Sequence, residues 1–288
     1  MSFQDNQHNH LINRFNKTRI APTPSGYLHL GNAFSFILTS ELGKKYGAKV
    51  LLRIDDLDRE RVQENYVQDI FDTLHFLNIE WQEGPKNIQE FEEQFSQLHR
   101  LKLYNKALVQ LKQSGKIFAC SCSRTQVLHN SENGAYAGTC KHKKIPLNAN
   151  DVTWRLNTDE VKEITLNTLN EGNIKTQLPE NMRYFVVRKK DGFPAYQLSS
   201  VVDDMYFGVD LIVRGQDLWD STLAQLYLAS VLEQEIFLKA TFHHHALLTN
   251  SAGEKLSKSA GDTSIRFMRE QGRTLKEIQA PFDLQLAH

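Results

Sequence analysis

Apolar positions along this 288-residue chain fall into two spacings. Short apolar runs over 19–21 and 48–54 (AKVLLRI) predict buried strands, the second parallel to the first, with a helix beginning near Gly31 between them. After this βαβ unit, Tyr66, Ile70, Leu74 and Leu77 recur at helical spacing, and a second amphipathic pattern predicts one helix over 91–111. Strands are predicted again over 184–188 and 209–213, then a helix over 218–232, a last strand over 242–247 and short helices at the end. The stretch 120–180 changes character: it carries the cysteines and then becomes rich in Asn, Thr and Glu, so it is expected to be an insertion interrupting the sheet. The resulting division is a polar tail (1–16), a first half of an α/β domain (17–119), the insertion, a second half (181–262) and a C-terminal helical segment (263–288). The fold class is α/β.

Composition adds limits. A hydrophobic content of 40% supports a real core, and 34 basic residues balance 34 acidic ones, so any polyanion site must be a local patch. No apolar run approaches the roughly 20 residues that span a bilayer. The first residues lack the apolar core of a signal peptide and the Arg-rich pattern of a transit peptide. Three cysteines cannot all pair with one another, which points to a reducing compartment. A cytoplasmic monomer is expected.

The candidate chemistry begins at APTPSGYLHLGN, residues 21–32. Pro22 and Pro24 fix φ, Gly26 and Gly31 remove side chains, and the turn delivers a ligand to a helix N-terminus suited to phosphate. His29 is placed to donate to a phosphoryl oxygen as charge grows on it. Alone, such a turn is equally a Pro/Gly connector with a satisfied histidine. The loop GEKLSKS carries Lys255 and Lys258, two ammonium groups suited to a departing pyrophosphate; alone it reads as a solvated turn.

Together the two stretches resemble the paired signatures of class I aminoacyl-tRNA synthetases, HLGN for HIGH and KLSKS for KMSKS. The resemblance narrows to the glutamyl branch through RIAPTPSGYLHLGN, LLRIDDLDRER, AYQLSSVVDDMYFGVDLIVRGQDLWDST and LLTNSAGEKLSKS, and covers about residues 19–269. It implies a Rossmann-like class I catalytic domain in which Arg19, Ala21, Thr23, Asp55, Tyr196 and Arg214 bind glutamate. It further implies that Gly31, Asn32 and Lys258 bind ATP, and that His29, Lys255 and Lys258 stabilise the transferring phosphates. Guanidinium forks suit a substrate with two carboxylates. Two positions depart from the family pattern. Asp55 is one methylene shorter than the usual glutamate and, with GYLH, is similar to the glutaminyl branch, whereas Arg214 favours a carboxylate over a neutral amide. Asn32 replaces the second histidine of HIGH.

In the insertion, Cys120, Cys122 and Cys140 with Tyr136 offer three thiolates and one phenol, enough to close a tetrahedral Zn²⁺ shell; three free cysteines are the alternative. His129 and His142 compete with Tyr136, and donor chemistry alone favours a histidine. The pattern resembles the Cys-x-Cys…Tyr-x-x-x-Cys zinc site of glutamyl-queuosine tRNA(Asp) synthetases, which implies one structural Zn²⁺ with Tyr136 as the fourth ligand. No anticodon-binding domain is expected after the KLSKS loop, which fits that resemblance. The resemblance implies tRNA-independent activation of glutamate by ATP with Mg²⁺, then transfer to queuosine at the wobble position of tRNA(Asp), with the anticodon arm as partner. Lys141, His142, Lys143 and Lys144 are either phosphate contacts or a solvated face. The alternatives are a minimal glutamyl- or glutaminyl-tRNA synthetase charging the 3′ end, an adenylate-forming enzyme with another acceptor, and a non-catalytic tRNA-binding paralogue.

Overall fold

A computed structural model describes residues 15–129, 131, 135–248 and 264–280. Its main sheet has six strands in the order β2-β1-β8-β9-β5-β6. The first four are β1 (Lys17–Ile20), β2 (Lys49–Leu52), β8 (Leu211–Gly215) and β9 (Thr241–His245). These run parallel to one another, as does β5 (Ile164–Thr168) against β9; β6 (Gly172–Thr176) closes the edge antiparallel to β5. A second sheet of three antiparallel strands joins β3 (Ile117–Cys120), β4 (Thr153–Leu156) and β7 (Val186–Arg188).

Side chains alternate across the parallel strands, and both faces are buried. Val50 and Leu52 point into one core with Ile20 and helix α1 (Leu30–Tyr46), whereas Leu51 points into the other with Ile212 and Phe242. The first core is closed by α2 (Glu64–Phe76), the short turn α3 (Ile88–Glu90) nearby, and Ile265 and Ile278 of α9 (Ile265–Glu270) and α10 (Leu275–Gln279). The second is closed by α4 (Leu101–Gln113), α6 (Tyr196–Phe207), α7 (Trp219–Val231) and Phe237 of α8 (Glu235–Leu238). Helix α5 (Arg124–His129) lies beside the small sheet's cysteines in sequence. No helix among the described residues is long and apolar enough to cross a membrane.

Chain direction fixes the working end of the sheet. From β1 the chain winds through α1 outward to β2, whereas from β8 it winds through α7 the other way to β9. The carboxyl ends of β1 and β8 therefore flank the point where strand order reverses, the crevice in which open parallel sheets bind ligands.

Two expectations change. Residues 91–111 do not form one helix: a π-turn (Phe91–Phe95) ends at Ser96, whose backbone is extended (φ −53°, ψ 140°), and a 3-10 turn leads into α4. The cause is Asp56, a fully buried carboxylate that accepts from Ser96 Oγ (2.6 Å) and Gln97 N (2.7 Å) and so draws the chain out of helical geometry. The stretch 120–180 is shared between the two sheets: it gives β4 to the small one and the β5–β6 hairpin to the main one. The strand expected over 184–188 pairs in the small sheet as β7.

Candidate active site

The crevice at the reversal point is a cleft of about 260 Å³ lined by Arg19, Ala21, His29, Gly31, Asn32, Arg53, Asp55, Tyr196 and Arg214, among others. Five separate elements or their ends deliver these side chains. Backbone pairing beyond the regular strands, with Arg53 N donating to Ile20 O and Asp55 N to Pro22 O, both at 2.9 Å, carries Asp55 alongside the proline turn. Thr23 is exposed on that turn and is not among the lining residues.

His29 is the N-cap of α1. Its Nδ1 accepts from Gly31 N at 3.1 Å, and Asn32 Oδ1 returns the cap by accepting from His29 N at 3.1 Å. With Nδ1 acting as acceptor, the proton of the neutral ring sits on Nε2, the tautomer that donates to a phosphate oxygen. Gly31 makes the fold-back possible, since a Cβ there would stand 3.0 Å from the imidazole Cε1. Asn32 thus serves the helix cap as well as lining the cleft.

Lys255 and Lys258 lie outside the described residues. The flanks of that segment are at the cleft: Leu248 lines it, Ser264 bridges to His29, and Ile265 N donates to Leu28 O at 2.7 Å. Asp69 reinforces this corner, with Oδ2 accepting from Leu28 N and Oδ1 from Arg269 Nη2.

Beneath the cleft lies a buried charge network that sequence reasoning missed in part. Arg53 donates from Nε and Nη2 to the two oxygens of Asp55 (2.7 and 3.0 Å) and from Nη1 to Asp204 Oδ1 (2.6 Å). Arg19 donates from Nε to the same Asp204 oxygen (3.2 Å) and from Nη1 to Val213 O (3.1 Å). Neighbouring Asp203 is held by Arg100 Nε (2.7 Å) and Tyr104 Oη (2.7 Å). Burial pushes the Arg19 guanidinium down to about 10, against the pull of Asp204 and with the push of Arg214 and Arg53. Burial works on Arg53 in the same sense, but its carboxylates outweigh it and raise the guanidinium. Burial also raises Asp55, with Arg53 opposing. The legible signal was Asp203-Asp204 inside α6, because aspartate is a poor interior helix residue and is buried only when paired.

Arg214 differs from these. It is 3% exposed, yet its acceptors are neutral: Nη1 donates to Gln225 Oε1 (2.9 Å) and Thr222 Oγ1 (3.2 Å), while Nε and Nη2 have no partner among the described residues. Gly215 beside it keeps the floor clear, since a Cβ would stand 2.6 Å from Asp217 Oδ1. Tyr196, at the first turn of α6, lines the same cleft and is 42% exposed. A buried cation with an unpaired edge in an open cleft is a site for an anion.

The second candidate site is on the small sheet. The sulfurs of Cys120, Cys122 and Cys140 all lie within 4.8 Å of one another. Tyr136 reaches the same point, with Oη donating to Cys120 Sγ (3.2 Å) and accepting from Cys140 N (2.8 Å), beneath the Arg155 guanidinium at 3.8 Å from the ring centroid. His129 and His142 are exposed and outside the cluster. Three thiols and a phenolic oxygen at one point fit a tetrahedral zinc ion. Burial raises the Cys140 thiol, but donors from the Ser121 backbone, Tyr136 and the other thiols outweigh it and bring it down to about 6; burial and hydrogen bonding to Cys140 push Cys122 up to about 11.

Residues 16–278 match the family model described as tRNA synthetases class I (E and Q), catalytic domain. The chain is 36% identical over 274 residues to a glutamyl-Q tRNA(Asp) synthetase of Chromobacterium violaceum, covering 94% of this chain and 87% of that protein. It is 34% identical to a protein of the same name from Dechloromonas aromatica, covering 91% and 84%. It is 31% identical to glutamate–tRNA ligase 2 of Syntrophus aciditrophicus, covering 89% of this chain but only 54% of that ligase, so it spans about half of it. Among solved structures, a glutamate-tRNA synthetase from Elizabethkingia anophelis superposes with a TM-score of 0.71 at 20% identity, covering 86% of this chain and 54% of that one. A methionyl-tRNA synthetase from Mycobacterium tuberculosis superposes at 0.53 and 13% identity, over 93% and 64%. These structures share the fold.

Proposed function

Because the chain belongs to the catalytic-domain family of class I tRNA synthetases for E and Q, we propose that it is a ligase that activates glutamate with ATP and Mg²⁺ and transfers it to queuosine of tRNA(Asp). The observation that carries the glutamate reading is Arg214, a buried guanidinium whose Nε and Nη2 lack partners among the described residues. A glutamate carboxylate completes both bonds, whereas a glutamine amide leaves a buried charge uncompensated. Arg19 and Tyr196 line the same cleft, and Asp55, fixed by Arg53, supplies a carboxylate for the α-ammonium group.

In the first step an α-carboxylate oxygen of glutamate attacks the α-phosphorus of ATP, the bond from that phosphorus to the bridging oxygen breaks, and pyrophosphate leaves. His29 donates from Nε2 to a phosphate oxygen at the start of α1, where the helix dipole favours negative charge. Lys255 and Lys258 neutralise the departing pyrophosphate. In the second step a hydroxyl of the queuosine cyclopentene-diol attacks the activated carbonyl and AMP leaves. The protein supplies alignment and charge, and no side chain is acylated. Cys120, Cys122, Tyr136 and Cys140 would hold one Zn²⁺, which would tie β3 to the following turn and supply structure rather than chemistry to either step.

The queuosine reading draws on the relatives named glutamyl-Q tRNA(Asp) synthetase, which this chain matches over more than four-fifths of their length. Its test is transfer of radiolabelled glutamate, with ATP and Mg²⁺, to purified tRNA(Asp) with and without queuosine, and to tRNA(Glu). Label on queuosine-bearing tRNA(Asp) alone, surviving removal of the CCA end, is the expected result. Label on the 3′ end of tRNA(Glu) identifies a minimal synthetase instead.

A further inference from the structure

Arg214 is anchored by one nitrogen. Its two Nη1 protons go to Gln225 Oε1 and Thr222 Oγ1. The unpartnered nitrogens, Nε and Nη2, share the guanidinium edge whose parallel N–H bonds match the two oxygens of a carboxylate. The anchor is itself oriented. Thr222 Oγ1 donates to Leu218 O (3.1 Å), so its remaining lone pair receives His244 Nε2–H at 2.8 Å. Gln225 turns its oxygen to Arg214 and leaves its own Nε2, in a fully buried position, without a partner among the described residues, a cost that leucine at the same place in α7 would not carry.

Every member of this anchor is neutral. Three acidic groups nearby are taken by other cations: Asp55 and Asp204 by Arg53 and Arg19, Asp203 by Arg100. Asp217 also lines the cleft, beside Gly215 and acting on His245, and forms no ion pair with Arg214 among the described residues. An aspartate or glutamate at 222 or 225 would hold Arg214 more tightly but would also cancel its charge.

Resting on the glutamate reading above, we propose that Gln225, Thr222 and His244 are positioning residues for amino-acid specificity. They hold Nη1 with uncharged acceptors and so present the Nε–Nη2 edge of Arg214, still cationic, to the side-chain carboxylate of the substrate. Selection of an acidic substrate then depends on what is absent from the anchor, a fixed counter-charge, as much as on the arginine.

The test is amino-acid-dependent ATP–pyrophosphate exchange by the full chain, comparing the parent with Thr222→Val, Thr222→Ser, Gln225→Leu and Gln225→Glu, each checked by a melting curve. Thr222→Val and Gln225→Leu raise the KM for glutamate about tenfold while the KM for ATP stays within about twofold, the loss expected for one hydrogen bond to a charged group. Thr222→Ser recovers the parent KM. Gln225→Glu supplies the missing counter-charge and erases the preference for glutamate over glutamine. Unchanged glutamate KM in folded Thr222→Val, which is nearly isosteric, overturns the inference, as do equal rises in both KM values. In either case glutamate-dependent exchange by the parent leaves the functional reading standing, whereas a parent chain without such exchange removes both.

Discussion

The cleft and the thiol cluster solve the problem of holding reactive groups in opposite ways. The cleft collects Arg19, Arg53, Asp55, Asp204 and Arg214 from strand ends and helices up to 195 positions apart (214 − 19), and its geometry exists only when the whole parallel sheet is assembled. The cluster draws Cys120, Cys122, Tyr136 and Cys140 from 21 consecutive residues (120 through 140) beside a three-stranded antiparallel sheet. Damage to the first therefore strikes the global fold and the chemistry together, and damage to the second stays local.

The largest expected effect is at Arg53. Arg53→Met leaves Asp55 and Asp204 buried side by side without their shared cation and lowers stability by about 3–5 kcal/mol, the usual result of removing one partner from a buried ion pair. Urea unfolding measures it. Next comes the cluster: Cys140→Ser moves the urea midpoint by less than half as much, and in native-state hydrogen exchange the amides of β3, β4 and β7 lose protection while β1, β8 and β9 keep theirs. Equal loss across both sheets would break the contrast. Zinc bound at one ion per chain, and lost in Cys140→Ser, sharpens it.

The smallest effect is a pH slope. His244 is held down to about 3, first by burial and then by Arg214 and the flanking histidines, from an ordinary value of 6.5. The unfolded chain therefore binds a proton that the folded chain refuses between about pH 3 and 6.5, so stability rises with pH across that window and levels above it. Each such group contributes at most about 1.4 kcal/mol per pH unit. His243 and His245 shift in the same direction, so His244→Gln removes only part of the slope seen in melting temperature between pH 5 and 6.5.

The same contrast explains what could be read without coordinates. The parallel strands, α1 and the turn bearing His29 were legible because apolar runs and Pro/Gly punctuation act locally. So were the three thiols, whose spacing brings them together; Tyr136, which stands beside them while the two histidines do not, came from the family resemblance, since donor chemistry alone favours a histidine. Arg19 and Arg214 were found through family resemblance, while their supports, Arg53, Asp204, Thr222, Gln225 and His244, were not. These side chains meet only across the sheet, and their types have ordinary surface uses. The break at Ser96 was hidden for the same reason, since Asp56 acts on it from 40 positions away (96 − 56). The β5–β6 hairpin looked like part of an insertion because its exposed face is polar, yet it pairs onto β9.

The most direct test of the central claim, that the unpaired edge of Arg214 reads the acidic side chain, is ATP–pyrophosphate exchange with glutamate and glutamine in the absence of tRNA, for the parent chain and Arg214→Gln. The account predicts exchange with glutamate and not glutamine in the parent, and in the variant a fall of about a hundredfold or more in kcat/KM for glutamate, the scale of losing a buried charged partner. Exchange with both amino acids by the parent, or a variant that still prefers glutamate, would contradict it.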